Sequence, residues 1–229
     1  MKISVIIPAL NEAGSIGGAV ASVGPDTEVI VSDGGSTDDT RAIAARLGAR
    51  VVGCPPGRGA QMDAAAAEAG GEVLLFLHAD TRLPENWQSA VMDALRDGRT
   101  IAGAFRLRID SKGKRFRLIE RAAAVRCRAL GLIYGDQALF VRKEGFLKAG
   151  GFLSLPLMED IDCVKRLRRL GKVVLLKESV LTSPRRWRRA GTIRNTLRNA
   201  FILSLYFLGA SPLKLYSLYY GGRMKINGL

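Results

Sequence analysis

The chain is expected to fold as an α/β protein: a mostly parallel central sheet flanked by helices, with a helical appendage at the C-terminal end. Three observations predict this. Val73–Leu77 is an unbroken apolar run behind Gly70-Gly71. It is too short for a helix of its own and has β-branched and aromatic members, so it reads as a fully buried strand. Upstream, short β-branched runs alternate with helical patterns of about ten residues, the spacing of βαβ units and a parallel sheet. Beyond Gly98 the rhythm changes, and the chain closes on apolar helices.

In order, Ile3–Pro8 is a first strand, and Asn11-Glu12 leads into a helical stretch to about Val23. Glu28–Ser32 is a second strand that ends on the run from Asp33 to Asp39. There Ser36 or Thr37, with acids two and three places on, resembles the N-cap of a helix reaching about Leu47. Arg50–Val52 is a third strand, Pro55–Gly59 a loop and Ala60–Ala69 an alanine-rich helix before the strand at Val73–Leu77; a further helix starts near Pro84. Ile101–Ile109 alternates like a half-exposed strand, Lys114–Leu130 is a basic helix and Ala138–Val141 another strand. A helix begins in the acidic stretch 158–162 and runs to Leu170, and Lys172–Leu176 is the last strand. An arginine-dense loop, SPRRWRRAG, then leads to one or two apolar helices. The expected organisation is one α/β domain over 1–190 and a helical extension over 191–229, with no internal repeat.

The 229 residues are enough for a real core, and the net charge of +14 is unevenly spread. Residues 1–100 hold 8 Lys/Arg against 13 Asp/Glu, and residues 101–229 hold 27 against 8. An acidic first half argues against nucleic-acid binding there, because phosphate neutralisation needs clustered cations. The basic second half suits an anionic partner such as a diphosphate, a phospholipid surface or RNA, or is merely a soluble basic face. Cys54, Cys127 and Cys163 are far apart and in no metal-ligand spacing, so they read as reduced thiols of a cytoplasmic protein. The N-terminus turns polar after about eight residues and reads as a strand, not a signal peptide. No apolar run reaches the roughly 20 residues of a membrane span.

Glu12, Asp33 and Asp80 each follow a predicted parallel strand, so their carboxylates should meet at one sheet edge, where open α/β sheets bind ligands. Converging carboxylates repel one another unless a cation or hydrogen-bonded ligand groups compensate. Mg2+ and Mn2+ sites use one or two protein carboxylates completed by substrate phosphates, which suits a nucleoside-diphosphate site with Asp80 on the metal. Asp80 as the N-cap of the following helix is the plainer alternative. A dinucleotide-binding dehydrogenase is excluded by the first turn, whose Gly14, Gly17 and Gly18 come too late for a pyrophosphate turn, and no Walker A loop is present.

These fragments together resemble the inverting family-2 glycosyltransferases of GT-A fold, in order from Ile3 to about Gly171. VIIPALNE at Val5–Glu12 resembles the opening strand and turn, and the likeness places Pro8, Ala9 and Glu12 against the nucleotide. SDGGSTDDT at Ser32–Thr40 resembles the base loop, with Asp33 facing the base. RGAQMDAAAAEAGGEVLLFLHADT at Arg58–Thr81 resembles the helix and strand leading to the metal-binding D-x-D, which adds Arg58, Gln61, His78, Ala79 and Asp80 to the nucleotide-sugar side. GDQALFVRKEGFLKAGGF from Gly135 and EDIDCVKRLRRLG from Glu159 resemble the acceptor side and the catalytic-base motif. The likeness puts Asp136 and Gln137 at the acceptor or diphosphate and makes Asp160, beside Glu159, the base. Within the family the chain looks most like a small bacterial branch associated with arsenosugar biosynthesis.

The resemblance implies inverting transfer from a UDP- or GDP-type sugar to a small-molecule or lipid acceptor, assisted by Mg2+ or Mn2+. A base takes the acceptor proton on the sugar face opposite the leaving diphosphate, and a cation stabilises that leaving group. Glu159, Asp160 and Asp162 would also complement a helix dipole. The family's first D-x-D aspartate is His78 here, open to contact with ribose or diphosphate, to metal ligation, or to simple packing. Asp63 stands where the family often has asparagine. Arg185-Arg186-Trp187 echoes an R-W pair near the acceptor of processive relatives, without the preceding glutamine, and could clamp a diphosphate or lie in solvent.

Two other classes compete. A nucleotidyltransferase would carry a lysine-bearing glycine loop after its first strand, and none is present. A degenerate transferase acting as a basic RNA- or membrane-binding module is kept alive by His78. The tail stretch Ala200–Ala210, with Arg194 and Arg198 before it and Lys214 after it, would dock on an anionic membrane, on the catalytic domain or on a second subunit of a homodimer.

Overall fold

The structure is a computed structural model that describes residues 1–221, without the side chains at 186, 189, 190, 192 and 193. Its elements run β1 (Ile3–Ala9), α1 (Ile16–Ala21), β2 (Glu28–Asp33), α2 (Thr40–Arg46), β3 (Arg50–Gly53), α3 (Arg58–Glu68), β4 (Val73–Phe76), β5 (Thr81–Arg82), α4 (Trp87–Ala94) and β6 (Thr100–Ile109). Then come α5 (Lys114–Leu130), a 3-10 turn (Gly135–Gln137), β7 (Leu139–Arg142), α6 (Lys143–Lys148), α7 (Glu159–Leu170), β8 (Lys172–Thr182), α8 (Arg185–Ala190), α9 (Thr192–Phe207) and α10 (Pro212–Tyr220).

The strands form one mixed sheet in the order β3-β2-β1-β4-β7-β6-β8-β5. β1 to β4 pair in parallel, β7 joins β4 and β6 in antiparallel sense, and β6 and β8 are parallel again. Alternation along the central strands supplies two cores, because successive side chains leave opposite faces. Val5, Ile7, Val73, Leu75 and Leu77 pack with α1 and α4 on one face. Ile6, Leu74 and Phe76 pack with Met62 and Ala65 of α3 and Val164 and Leu167 of α7 on the other. β4 is fully buried, as its unbroken apolar run requires, and each fully buried leucine there contributes roughly 1.5–3 kcal/mol.

Three expectations are corrected. β6 is buried over most of its length, since both sheet faces are covered, and only Arg108 is exposed. β8 runs six residues beyond Leu176, to Thr182. Its polar pair Lys177-Glu178 sits in a bulge, where Ala104 and Arg106 of β6 face Leu175 and Ser179, and the apolar pattern resumes beyond it. The arginine-dense segment is the helix α8, and its Trp187 anchors on Leu107, Ile109 and Phe116.

α9 and α10 pack on each other, with Ile202 and Leu215 buried and Leu197, Phe201 and Leu208 exposed. Among the described residues no helix is long and apolar enough to cross a membrane.

Candidate active site

The carboxyl ends of β1, β2 and β4 lie side by side, since Ala9 pairs with Asp33 and Ile6 with Phe76. The loops leaving β1 and β2 are stitched together. Asn11, at φ 53°, accepts the Thr37 N–H at 2.9 Å through Oδ1, and its own N–H donates to Ser36 Oγ at 2.9 Å. Glu12 N–H donates to Thr40 Oγ1 at 2.7 Å and Ala13 N–H to Asp38 Oδ2 at 3.1 Å. The hydroxyls expected to cap α2 thus serve the neighbouring loop, whose N–H groups have no strand partner. The N-cap of α2 is Asp39, which makes no side-chain capping bond.

Several predicted site residues turn inward. Asp33 is 1% exposed, and its Oδ2 accepts the N–H groups of Gly35 and Ser36 at 3.1 and 3.0 Å. Gly35, at φ +94°, permits that turn. Asp33 therefore builds the loop instead of offering an open carboxylate to a base. Gln61 is buried and its Nε2 donates to the carbonyls of Ala9 and Ser32, both at 2.8 Å, tying two strand ends. Ala9 and Ala79 are core residues, and Pro8 is half-buried in β1.

The turn after β4 is clasped by the end of β8. Ser183 N–H donates to the Asp80 carbonyl at 3.0 Å, and Thr81 Oγ1 to Thr182 Oγ1 at 3.0 Å. Asp80 does not cap α4, because β5 intervenes and Asn86 holds the N-cap position. Arg185 donates to both carboxylate oxygens of Glu12 at 2.7 Å and lies 3.7 Å from Asp80 Oδ2. Glu12 and Asp80 do converge, around one guanidinium; Asp33 stays in its own loop.

His78 and Asp80 open onto a cleft of about 860 Å³, counting space open to solvent. Across it lies Asp160 in the first turn of α7, introduced by Met158 at φ 70°. Asp160 Oδ2 accepts the Gly135 N–H at 2.6 Å. A Cβ on Gly135 would stand 2.8 Å from His78 Nε2 and 3.5 Å from Asp160 Oδ2, so imidazole and carboxylate both border one glycine.

The acids of α7 divide their tasks. Glu159 is 5% exposed, with Oε1 3.6 Å from Arg58 Nη1. Burial pushes its carboxyl up, the charge of Asp160 adds to that, and Arg58 opposes it. Asp162 binds Arg166 Nε at 2.8 Å, and Arg166 also donates to the carbonyls of Ala149 and Gly151. Asp63 accepts the Phe152 N–H at 2.9 Å, fixing the same turn from the other side. Gln137 is fully buried: Nε2 donates to the Phe105 carbonyl at 3.1 Å, and Oε1 accepts Arg126 Nη2 at 2.9 Å. It shapes the loop that carries Gly135 and Asp136 instead of facing an acceptor. Asp136 and Trp187 line the cleft, and Arg186 lies outside the described side chains.

Sequence reasoning missed the Gly135 amide, Thr182 and Ser183, and the wall made by Asn195, Asn199, Ile202 and Tyr219. Only the last group left a trace: Asn195 and Asn199 are one helical turn apart, beside Arg194 and Arg198.

The family model described as "Glycosyl transferase family 2" matches residues 4–153. The glucosyl-3-phosphoglycerate synthase of Mycolicibacterium paratuberculosis is 37% identical over 92 residues, which cover 34% of this chain and 28% of the relative. Mannosyltransferase PcManGT from Pyrobaculum calidifontis, solved with GDP-Man and Mn2+, superposes with a TM-score of 0.70 at 21% identity, covering 96% of this chain and 69% of that one. Glucosyl-3-phosphoglycerate synthase from Mycobacterium tuberculosis, solved with Mn2+, UDP and glucosyl-3-phosphoglycerate, gives 0.54 at 25% identity, covering 77% and 70%. The matched region spans little more than a quarter of the length of the first curated relative.

Proposed function

The chain belongs to glycosyl transferase family 2, and from that premise we propose that it moves a sugar from a nucleoside-diphosphate sugar to an acceptor hydroxyl with inversion. The observation that carries this is that His78 and Asp160 both border Gly135 in one cleft, with Asp80 beside His78 in the turn after β4. One wall thus offers groups suited to a diphosphate and the other a carboxylate suited to a proton.

In the proposed step the acceptor oxygen attacks the anomeric carbon while Asp160 takes its proton, and the bond to the diphosphate breaks with the electron pair leaving on the nucleotide. The Gly135 N–H, 2.6 Å from Oδ2, fixes the carboxylate for that transfer. Buried Glu159 pairs with the partly exposed Arg58, which holds the first turn of α7 in place. Glu12 and Arg185 flank the diphosphate end.

Among the described residues no three His, Cys, Asp or Glu side chains cluster tightly enough to cage a metal. Asp80 with His78 suits instead a Mg2+ or Mn2+ whose shell is completed by substrate phosphates. Neutralising the charge of the departing diphosphate is the chemistry such an ion supplies when bound. The M. tuberculosis relative with UDP and Mn2+ supports a uridine nucleotide and manganese, and the mannosyltransferase makes GDP the other candidate. The likeness to the arsenosugar-associated branch makes the acceptor the point of difference from the phosphoglycerate enzymes. The exposed face of α9 and α10 is where peripheral membrane contact or a second copy would attach.

Titration calorimetry of UDP and GDP with and without Mn2+, on wild type and Asp80→Ala, tests this reading. Metal-enhanced binding of one nucleotide, lost in Asp80→Ala, is expected; equal binding with and without metal counts against Asp80 as the ligand.

A further inference from the structure

The C-terminal helices bring to the cleft a polar group that the step above does not use. Asn195 of α9 is 0% exposed and lines the same cleft as Asp160. Its Oδ1 accepts Arg198 Nη2 at 2.7 Å. A guanidinium only donates, so the amide oxygen must face Arg198 and Nδ2 is turned away from it. Arg198 is fixed in turn, 4.1 Å over the ring of Tyr219, with Nη1 3.4 Å from the Tyr219 carbonyl. Asn195 Nδ2 has no hydrogen-bond partner among the described residues. A buried donor without an acceptor is unfavourable, and a ligand oxygen would relieve it.

Charge decides what kind of oxygen. Among the described residues Glu159 pairs with Arg58 and Asp80 lies 3.7 Å from Arg185, whereas Asp160, which also lines the cleft, has no ion-pair partner. A second anion beside Asp160 would be repelled. The tail wall offers the neutral amides of Asn195 and Asn199 next to the apolar surfaces of Ile202 and Tyr219. Amide groups for hydroxyls beside an apolar surface for C–H faces suit a polyhydroxylated molecule. The geometry points to Asn195 as an acceptor-recognition residue, and to an uncharged polyhydroxy acceptor, a sugar or polyol. This rests on the transferase reading above.

The test follows release of nucleoside diphosphate from UDP-glucose and GDP-mannose with Mn2+. Probes are methyl glucoside and glycerol as neutral acceptors, and 3-phosphoglycerate and glycerol 3-phosphate as anionic ones. Neutral acceptors should accelerate release in the wild type. Asn195→Ala should raise the KM for the neutral acceptor by about tenfold, the worth of one hydrogen bond, more than it lowers kcat. Asn195→Ser, which keeps a donor, should recover part of that loss, separating recognition from damage to the fold. Acceleration by anionic acceptors only, or by no neutral one, overturns the inference, as does an unchanged KM in Asn195→Ala. Release from neither donor under any condition overturns the transferase reading and this inference with it; release that only anionic acceptors accelerate overturns this inference alone.

Discussion

The backbone N–H of Gly135 donates to Asp160 Oδ2 at 2.6 Å, joining the loop before β7 to the first turn of α7. The same glycine leaves room for His78, whose Nε2 lies 2.8 Å from where a Cβ would stand. Gly135→Ala should therefore displace the imidazole. The atoms that a Cβ would meet there all belong to side chains and none to the backbone, so the fold should survive. Turnover is expected to fall by about 10²-fold, as for misplacement of a catalytic group by an ångström, with an unchanged melting temperature. Full activity in Gly135→Ala would show that the His78–Gly135–Asp160 contact is not used.

Arg185 occupies the place between Glu12 and Asp80 that a cation would otherwise fill. Arg185→Gln should remove its competition for Asp80 and tighten nucleotide-free Mn2+ binding by about 2- to 10-fold, the scale of one exposed ion pair. Calorimetry with the metal alone measures this. Weaker binding would mean that Arg185 positions Asp80 instead of competing at it.

Burial raises the Asp63 carboxyl above its ordinary value of 3.8, against the opposing Phe152 N–H and Arg166. A carboxyl raised in the folded state holds its proton more tightly there than in the unfolded chain. Its contribution to stability therefore falls as pH rises from that ordinary value through the folded one. In Asp63→Asn the amide oxygen can still accept from Phe152. The variant should match or exceed wild type in melting temperature at pH 7 and lose that advantage as pH falls through the window. Glu159, shifted the same way, retains its own share of the slope. A variant less stable at pH 7 would show that the Arg166 attraction outweighs burial.

The Cys163 thiol is fully buried and pushed up to about 12 by that burial. Cys54 is half-exposed, with its N–H on the Asp33 carbonyl at 3.0 Å. Maleimide at pH 8 should label Cys54 in the folded protein and all three thiols only after denaturation. UDP or GDP, whichever binds, should slow Cys54 labelling by seating its base against the loop after β2, since Cys54 Sγ lies 3.7 Å from the Asp33 carbonyl. Labelling insensitive to both nucleotides would place the base elsewhere.

Much of the scaffold was readable because burial dictates it. Val73–Leu77 had no solvated face to offer, so it could only be a central strand, and Lys114–Leu130 and Glu159–Leu170 carried clear helical periods. His78 and Asp80 were read at the sheet edge because a parallel sheet delivers its strand ends there, whereas Asp160 came from the resemblance of the stretch at Glu159 to a catalytic-base motif. What the sequence hides has physical causes. Gln61 and Gln137 have side chains suited to ligands, yet they bond groups brought to them by tertiary contacts that no local pattern encodes, and Asp33 closes a local turn on Ser36. The end of β8 was hidden by a bulge that puts two charged residues inside a strand. The tail wall was hidden because a helix shows its apolar period but not which surface it will meet.

The central claim is that Asp160 is the base of a nucleotide-sugar transfer across this cleft. It is tested most directly by donor turnover in Asp160→Asn beside wild type, at saturating nucleotide sugar and Mn2+. The amide keeps the shape and can still accept the Gly135 N–H, but it cannot take a proton. Wild type should release nucleoside diphosphate in the presence of acceptor, and Asp160→Asn should do so about 10²- to 10⁴-fold more slowly while binding the nucleotide equally well. Equal turnover in the two proteins would contradict the account.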